Sequence, residues 1–404
     1  MIERRLPRPS ELAQLLRPRP FVLDPTERRL ASAHTIADLR TIARLRTPRA
    51  VFDYTDGAAE LEDSLRRART VFRRVEFRPN VLRGVADPDT SVEVLGQRSA
   101  LPFAFAPTGF TRMMNHEGER AVAKVAQRVG IPYALSTMGT TSIEDVAAVA
   151  PDARKWFQLY VWRDKGAGRE LLERAWAAGY DTVLLTVDTP VGGARMRDVR
   201  NGLTIPPALT LRTFVDGALH PAWWFNLLTT EPLTFASLTS WGGTVAELID
   251  SMFDPTLNFD DLGWVREMWP GKLVVKGIQN VDDARDVVKH GADAVLLSNH
   301  GGRQLDRAPT PLELLPQVVD QVKDDDAEVW LDTGILSGAD IVAAMAMGAD
   351  LCLIGRAYLY GLMAGGERGV QRAVDILHKE IVRTMQLLGV RAIADLRPSH
   401  ARMR

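Results

Sequence analysis

Cysteine is almost missing from this chain: Cys352 stands alone among 404 residues. That excludes an intramolecular disulfide and any metal site built from cysteines. Flanked by Leu351, Leu353 and Ile354, the thiol reads as buried. No stretch of about 18 apolar residues occurs, so no membrane-spanning helix is expected. Met1 to Pro20 is rich in arginine and proline and has no apolar leader core. A cytoplasmic location is therefore expected, with peripheral contact at the inner face of the cell membrane left open. Net charge is −1, which gives no overall field to recruit nucleic acid or an acidic surface.

Signature motifs are missing as well. No G-x-G-x-x-G opens a helix after the first strand, so a Rossmann nicotinamide site is unsupported. There is no Walker A sequence and no H-E-x-x-H, and the seven histidines are scattered, so no metal is expected.

What the chain does have is a rhythm. Residues 1–33 read as an irregular arm, followed by helices over Thr35–Arg46 and Glu62–Phe72. From Leu101 onward, short apolar runs alternate with helix-like segments. The runs are Phe103–Ala106, Tyr133–Leu135, Lys155–Leu159, Thr182–Val187, Leu273–Val275, Ala294–Leu297, Glu328–Leu331 and Leu351–Ile354. Helices are predicted over Glu117–Val129, Ser142–Val149, Gly168–Ala178, Asp282–His290, Pro311–Val322 and Gly338–Met347. Strands alternating with helices pair in parallel. Eight such units predict a (β/α)₈ TIM barrel over residues 34–404, with a helical N-terminal arm and a long loop, 201–262, after the fourth strand. That loop carries Pro206-Pro207, Trp223-Trp224-Phe225, Leu227-Leu228 and Trp241-Gly242-Gly243, and a loop of this length usually has a function.

In such barrels chemistry sits at the C-terminal strand ends. Here every run ends in polar or backbone-permissive residues. The sixth ends in Ser298-Asn299-His300-Gly301-Gly302-Arg303-Gln304-Leu305-Asp306. An imidazole takes a proton near neutral pH, a guanidinium forks onto a carboxylate, and the glycines between them let a ligand approach the backbone. His300 thus reads as a base, with Asp188 orienting it. Arg195 and Arg303 suit a substrate carboxylate, with Arg197 and Arg200 as neighbouring charges. Tyr54 and Tyr160 can donate phenolic hydrogen bonds. Asp332-Thr333-Gly334 and Gly355-Arg356 end the last two strands, where barrels often bind phosphate. Ser136, Gln158, Thr186 and Lys276 suit the polar edge of a flavin, with Lys276 stabilising negative charge.

The Ser-Asn-His-Gly-Gly-Arg-Gln-Leu-Asp stretch resembles that of the FMN-dependent L-2-hydroxy acid oxidising family, and the likeness runs from about His34 to about Leu388. It is closest to the bacterial respiratory L-lactate dehydrogenases through Phe52-Asp53-Tyr54, Pro206-Pro207-Ala208-Leu209-Thr210 and Ile354-Gly355-Arg356-Ala357-Tyr358. The resemblance implies FMN lined by Pro107, Thr108, Gly109, Ser136, Gln158, Thr186, Lys276 and Ser298. Asp332, Gly334, Gly355 and Arg356 would hold its ribityl chain and phosphate. It implies that Tyr54 and Tyr160 contact the substrate. It also implies L-lactate as that substrate, a quinone or other respiratory acceptor, and a homotetramer. An oxygen-using lactate monooxygenase or oxidase is the nearest alternative; a flavin-dependent isomerase and a non-catalytic barrel are the others. The chain departs from the family pattern at three places. Thr333 replaces the first glycine of Asp-Gly-Gly, Leu336 stands where many relatives have arginine, and Met138 stands where many have tryptophan. At Gly109 several oxidases have alanine.

Overall fold

The computed structural model describes residues 5–15, 22–161, 165–202, 216–238, 254–322 and 325–404. Pro206-Pro207-Ala208-Leu209-Thr210 and Trp241-Gly242-Gly243 lie outside the described residues.

Eight strands form a closed parallel barrel. They are β1 (Phe103–Phe105), β2 (Tyr133–Ser136), β3 (Lys155–Leu159), β4 (Thr182–Thr186), β5 (Lys272–Ile278), β6 (Ala294–Leu297), β7 (Glu328–Leu331) and β8 (Leu351–Ile354). Neighbours in sequence are neighbours in space, and β8 closes on β1 with Cys352 opposite Phe103. Both faces of each strand are covered, which is why the runs are nearly continuous in apolar residues. One face packs the barrel interior, where Ala104, Ala134, Leu184, Val274, Leu296 and Leu353 meet Trp156 and Trp330. Those two indoles stack with centroids 4.8 Å apart, and the small alanines of β1, β2 and β6 leave room for them. A hairpin, Val92–Val94 and Gln97–Ser99, puts Val94 and Leu95 into the same cluster. The Leu95 N–H donates to Glu328 Oε1 at 2.5 Å at the start of β7, so the hairpin plugs the N-terminal end of the barrel. The mouth at the other end is left for chemistry.

The N-terminal arm, expected to be helical but with residues 1–33 read as irregular, contains two short helices, Pro9–Leu15 and Pro25–Ala31. Its prolines mislead because Pro9 and Pro25 each open a helix, where a missing N–H costs nothing. Asp24 caps the second helix, Leu30 is buried, and Arg29 Nε donates to the Ala364 carbonyl at 3.0 Å. Thr35 and Asp38 form a capping box that starts the helix Ile36–Arg46. This helix packs along the C-terminal helix Arg356–Leu388, which is broken at Gly365-Gly366. Cys352 is buried in β8 as expected.

Candidate active site

His300 and Asp188 meet across the mouth of the barrel. His300 Nδ1 lies 3.0 and 3.2 Å from the two Asp188 oxygens. Asp188 follows β4 and its carboxylate is fully shielded from solvent, while the His300 ring is still reachable. Burial alone would raise the Asp188 carboxyl, but its neighbours His300 and Lys276 hold it below its ordinary value. It is therefore ionised and accepts the Nδ1–H, which leaves Nε2 as the free acceptor. Burial lowers the His300 pKa, and Asp188 offsets only part of that, so the imidazole is neutral at pH 7.

Two cations flank this pair. The guanidinium carbons of Arg195 and Arg303 lie 5.1 and 4.7 Å from the Tyr54 ring centroid. Burial, reinforced by Arg195 nearby, brings Arg303 down to about 10. The Arg303 side chain also donates to the Tyr54 carbonyl. For Arg195, burial works against the charge, but Tyr54 and Asp198 more than compensate. Asp198 Oδ2 stands 3.3 Å from Arg195 Nε. Burial pushes the Tyr160 phenol well up, with Asp188 adding to it, so it remains a neutral donor; Tyr54, Arg303 and Arg195 act on it too. Tyr54, Tyr160, Asp188, Arg195, His300 and Arg303 thus share one mouth.

Arg197, which the sequence left as a neighbouring charge, does other work. It bonds Asp56 Oδ2 at 3.0 Å and Glu62 Oε2 at 2.5 Å. Arg40 and the Tyr360 hydroxyl also bond Asp56, at 2.5 and 2.7 Å. This network ties the helix Arg49–Asp56, which carries Tyr54, to the helix Met196–Asn201, which Arg195 precedes.

The strand-end polar groups form connected pairs. Ser136 Oγ donates to Gln158 Oε1, and Gln158 Nε2 to Thr186 Oγ1, both at 3.0 Å. Lys276 Nζ donates to Ser298 Oγ at 3.0 Å and lies 3.6 Å from Asp332 Oδ2. All of these side chains are buried. Thr108 Oγ1 lies 2.5 Å from the Tyr358 hydroxyl, which donates to the Ala106 carbonyl at 3.0 Å. Pro107 and Gly109 flank Thr108 on the same loop after β1. A Cβ at Gly109 would lie 2.9 Å from Met138 Cβ, so only glycine fits beneath that turn without a shift.

These groups suit an isoalloxazine. Its heteroatom edge needs alternating donors and acceptors in a dry wall, and successive strands supply amide, hydroxyl and ammonium groups. The phosphate end fits too. The helix Arg356–Leu388 opens at Gly355 with no side-chain cap, and nothing approaches a Cβ at Gly355 closer than 3.8 Å. Arg356 sits at that end, but its Nε and Nη2 are committed to the Thr55 and Gly57 carbonyls at 2.9 and 2.7 Å. Gly334 follows Thr333 after β7, with φ +86.

One sequence expectation needs correction. Gly301 and Gly302 were read as making room for a ligand, but protein fills the space beside both. A Cβ on Gly302 would meet Leu65 N at 2.9 Å, and one on Gly301 would meet Arg356 Nη1 at 2.6 Å. The loop is glycine-rich because backbone and guanidinium crowd it at positive φ. Asp306, quoted only as the end of the motif, is a remote cap. It accepts from Leu61, Asp63 and Ser64 N–H groups at 3.2, 3.2 and 2.8 Å, and so starts the helix Asp63–Arg73, whose own N-cap residue offers no side-chain bond.

Comparison with known proteins agrees with this geometry. Residues 43–403 match the family described as FMN-dependent dehydrogenase. A Mycobacterium tuberculosis protein named "Putative L-lactate dehydrogenase" is 58% identical over 399 residues, covering 99% of this chain and 96% of that one. An L-lactate dehydrogenase of Stenotrophomonas maltophilia is 42% identical over 366 residues, covering 89% and 96%. Among solved structures, the monotopic membrane protein (S)-mandelate dehydrogenase superposes with a TM-score of 0.88 at 37% identity, covering 92% of this chain and all of that one. By sequence and by fold, the chain belongs to the FMN-dependent dehydrogenases.

Proposed function

We propose that this FMN-dependent enzyme oxidises L-lactate to pyruvate and passes the electrons to a quinone. Oxidation of an L-2-hydroxy acid is the activity of its family; lactate is the choice favoured by the relatives at 58% and 42% identity. The observation that carries the reading is the His300–Asp188 pair facing two guanidiniums across Tyr54. Arg195 and Arg303 hold the carboxylate, and Tyr54 and Tyr160 donate to substrate oxygen. His300 accepts one substrate proton at Nε2, and Asp188 stabilises the resulting imidazolium. Conversion of the hydroxyl to a carbonyl releases two hydrogens and two electrons, and His300 takes one hydrogen as a proton. FMN, when bound, would supply the acceptor for both electrons and the remaining hydrogen. Ser136, Gln158, Thr186, Lys276 and Ser298 would hold its ring against Pro107, Thr108 and Gly109, with Lys276 placing positive charge beside it. Asp332, Gly334, Gly355 and Arg356 would hold its chain and phosphate.

The insertion supports a membrane-side acceptor. In the helix Pro221–Leu228, Trp223 turns inward and donates to the Met113 carbonyl at 2.9 Å, whereas Phe225 and Leu228 are 67% and 73% exposed. Exposed aromatic and aliphatic groups of this kind favour a bilayer interface. No helix among the described residues is long and apolar enough to cross a membrane. A peripheral seat on the inner face of the membrane and a homotetrameric assembly belong to the same proposal.

The test is spectroscopic. Anaerobic L-lactate should bleach the flavin of the parent protein, with a higher kcat/KM than (S)-mandelate. His300→Ala should keep FMN and lose nearly all reduction. Ordinary turnover in that variant would remove His300 from its role. Faster reoxidation by oxygen than by a quinone would favour an oxidase instead.

A further inference from the structure

We infer that Thr333 is a positioning residue for the His300 base. This rests on the assignment of His300 above and adds a residue to it. Thr333 occupies φ +72, a left-handed conformation that a β-branched side chain adopts only under constraint. A glycine would take that conformation freely. The strained choice coincides with two hydrogen bonds that glycine could not make. Thr333 Oγ1 donates to Asp332 Oδ1 at 2.7 Å and accepts from the Gly301 N–H at 3.1 Å.

The second half of the device starts from the same carboxylate. Asp332 Oδ2 lies 3.6 Å from Lys276 Nζ, which donates to Ser298 Oγ at 3.0 Å. Ser298 Oγ accepts from the His300 N–H, also at 3.0 Å. Two arms therefore leave Asp332 and end on the consecutive peptide N–H groups on either side of the His300 Cα. That bracket matters because His300 is itself at φ +57. A non-glycine residue in that region relaxes toward extended or helical backbone unless both neighbouring peptides are fixed. Relaxation would swing the imidazole off Asp188, which cannot follow. Asp188 is fully buried and crowded by Gly277, where an added Cβ would lie 2.7 Å from the Asp188 side chain. Thr333 thus holds the peptide that follows the base, from β7, while Ser298 and Lys276 hold the one that precedes it, from β6 and β5.

A space-filling role would predict different behaviour from a tethering one. Thr333→Val keeps the branch and the strain and removes both bonds. Thr333→Ser keeps the hydroxyl. With C2-deuterated L-lactate, kcat of Thr333→Val should fall roughly tenfold, the scale of a sub-ångström misplacement. Its KM should stay within about twofold because Arg195 and Arg303 are untouched. FMN content should hold, and the primary deuterium isotope effect should rise as the chemical step becomes slower. Thr333→Ser should recover most of the turnover and the parental isotope effect. Equal losses in the valine and serine variants, or an unchanged isotope effect in valine, would overturn the proposal. If the valine variant sheds FMN, Thr333→Gly decides: retained FMN with slowed chemistry supports the tether, and lost FMN makes Thr333 part of the cofactor cradle instead. A parent protein that no 2-hydroxy acid reduces would defeat the functional assignment itself, before any variant is compared.

Discussion

A base at the mouth of a barrel has to be neutral when substrate arrives and able to carry charge a moment later. His300 meets both demands through opposing effects: burial pushes its pKa below the ordinary histidine value, and Asp188 limits the fall. Protonation as pH drops through that lowered pKa removes the acceptor, so kcat/KM should show an acid limb below about 6.5 and a plateau above it. Asp188→Asn removes the group that raises the imidazole pKa. The limb should then move to lower pH, while the plateau falls by roughly 10²–10⁴-fold because the tautomer and the imidazolium lose their partner. Initial rates across pH 4.5–8 would check both; a limb that moves upward would mean that Asp188 does not face the reacting ring. That His300, Asp188, Arg195 and Arg303 would meet at one mouth was legible in the sequence because these residue types stand at strand ends. Thr333 was visible only as a departure from the family, since backbone dihedrals leave no mark in composition. Arg197 was illegible for a different reason. Only the fold reveals that one arginine of a cluster faces a buried carboxylate while its neighbour lies over the Tyr54 ring at the mouth.

Elements were legible where burial dictates pattern. The apolar runs of β3, β6, β7 and β8 have the expected limits because each strand is covered on both faces. A helical arm was expected, but no limits could be set for its helices in the first segment because proline at a helix start looks the same in sequence as proline in a coil. Between these elements the Asp56 network does the aligning. Asp56 is nearly inaccessible; burial alone would raise its carboxyl, but Arg40, Tyr360 and Arg197 bring it down to about 2. Its folded pKa is thus below the unfolded value of about 3.9, so its contribution is present above that value and lost as pH falls toward 2. Asp56→Asn should lower stability by about 1–3 kcal/mol, less than for a fully buried pair because Arg40 and Arg197 are partly solvated. It should also raise KM for the 2-hydroxy acid, because Tyr54 and Arg195 lose their common anchor. Thermal melts paired with steady-state kinetics would check this. Lower stability with an unchanged KM would confine the network to holding the fold.

At the scale of the whole molecule, a net charge of −1 conceals an uneven surface. A cavity of about 940 Å³ opens beside the insertion, lined by Arg29, Arg46, Arg112, Arg120, Lys124 and Arg368, with Glu117, Glu231 and Glu367 as the opposing charges. It adjoins Asn226, Thr229 and Thr230, so cationic groups and the exposed apolar side chains of Phe225 and Leu228 lie on neighbouring ground. Averaging over the sequence cancels such a patch; folding assembles it from the arm, the loop after β1 and the C-terminal helix. In membrane binding the two features act through different forces. Apolar insertion depends on buried area and is indifferent to salt, whereas attraction to anionic lipid is worth about 1 kcal/mol per basic residue near the surface and fades within a Debye length. Replacing Phe225 and Leu228 together by serine should therefore reduce co-sedimentation with both zwitterionic and anionic vesicles at any ionic strength. Charge reversal at Arg46 and Lys124 should weaken binding only to anionic vesicles, and only at low salt. Flavin reduction by L-lactate should be unaltered in both variants, since neither touches the His300 mouth. Co-sedimentation of the serine variant equal to that of the parent would detach the insertion from the membrane and leave its aromatic residues as packing on the barrel.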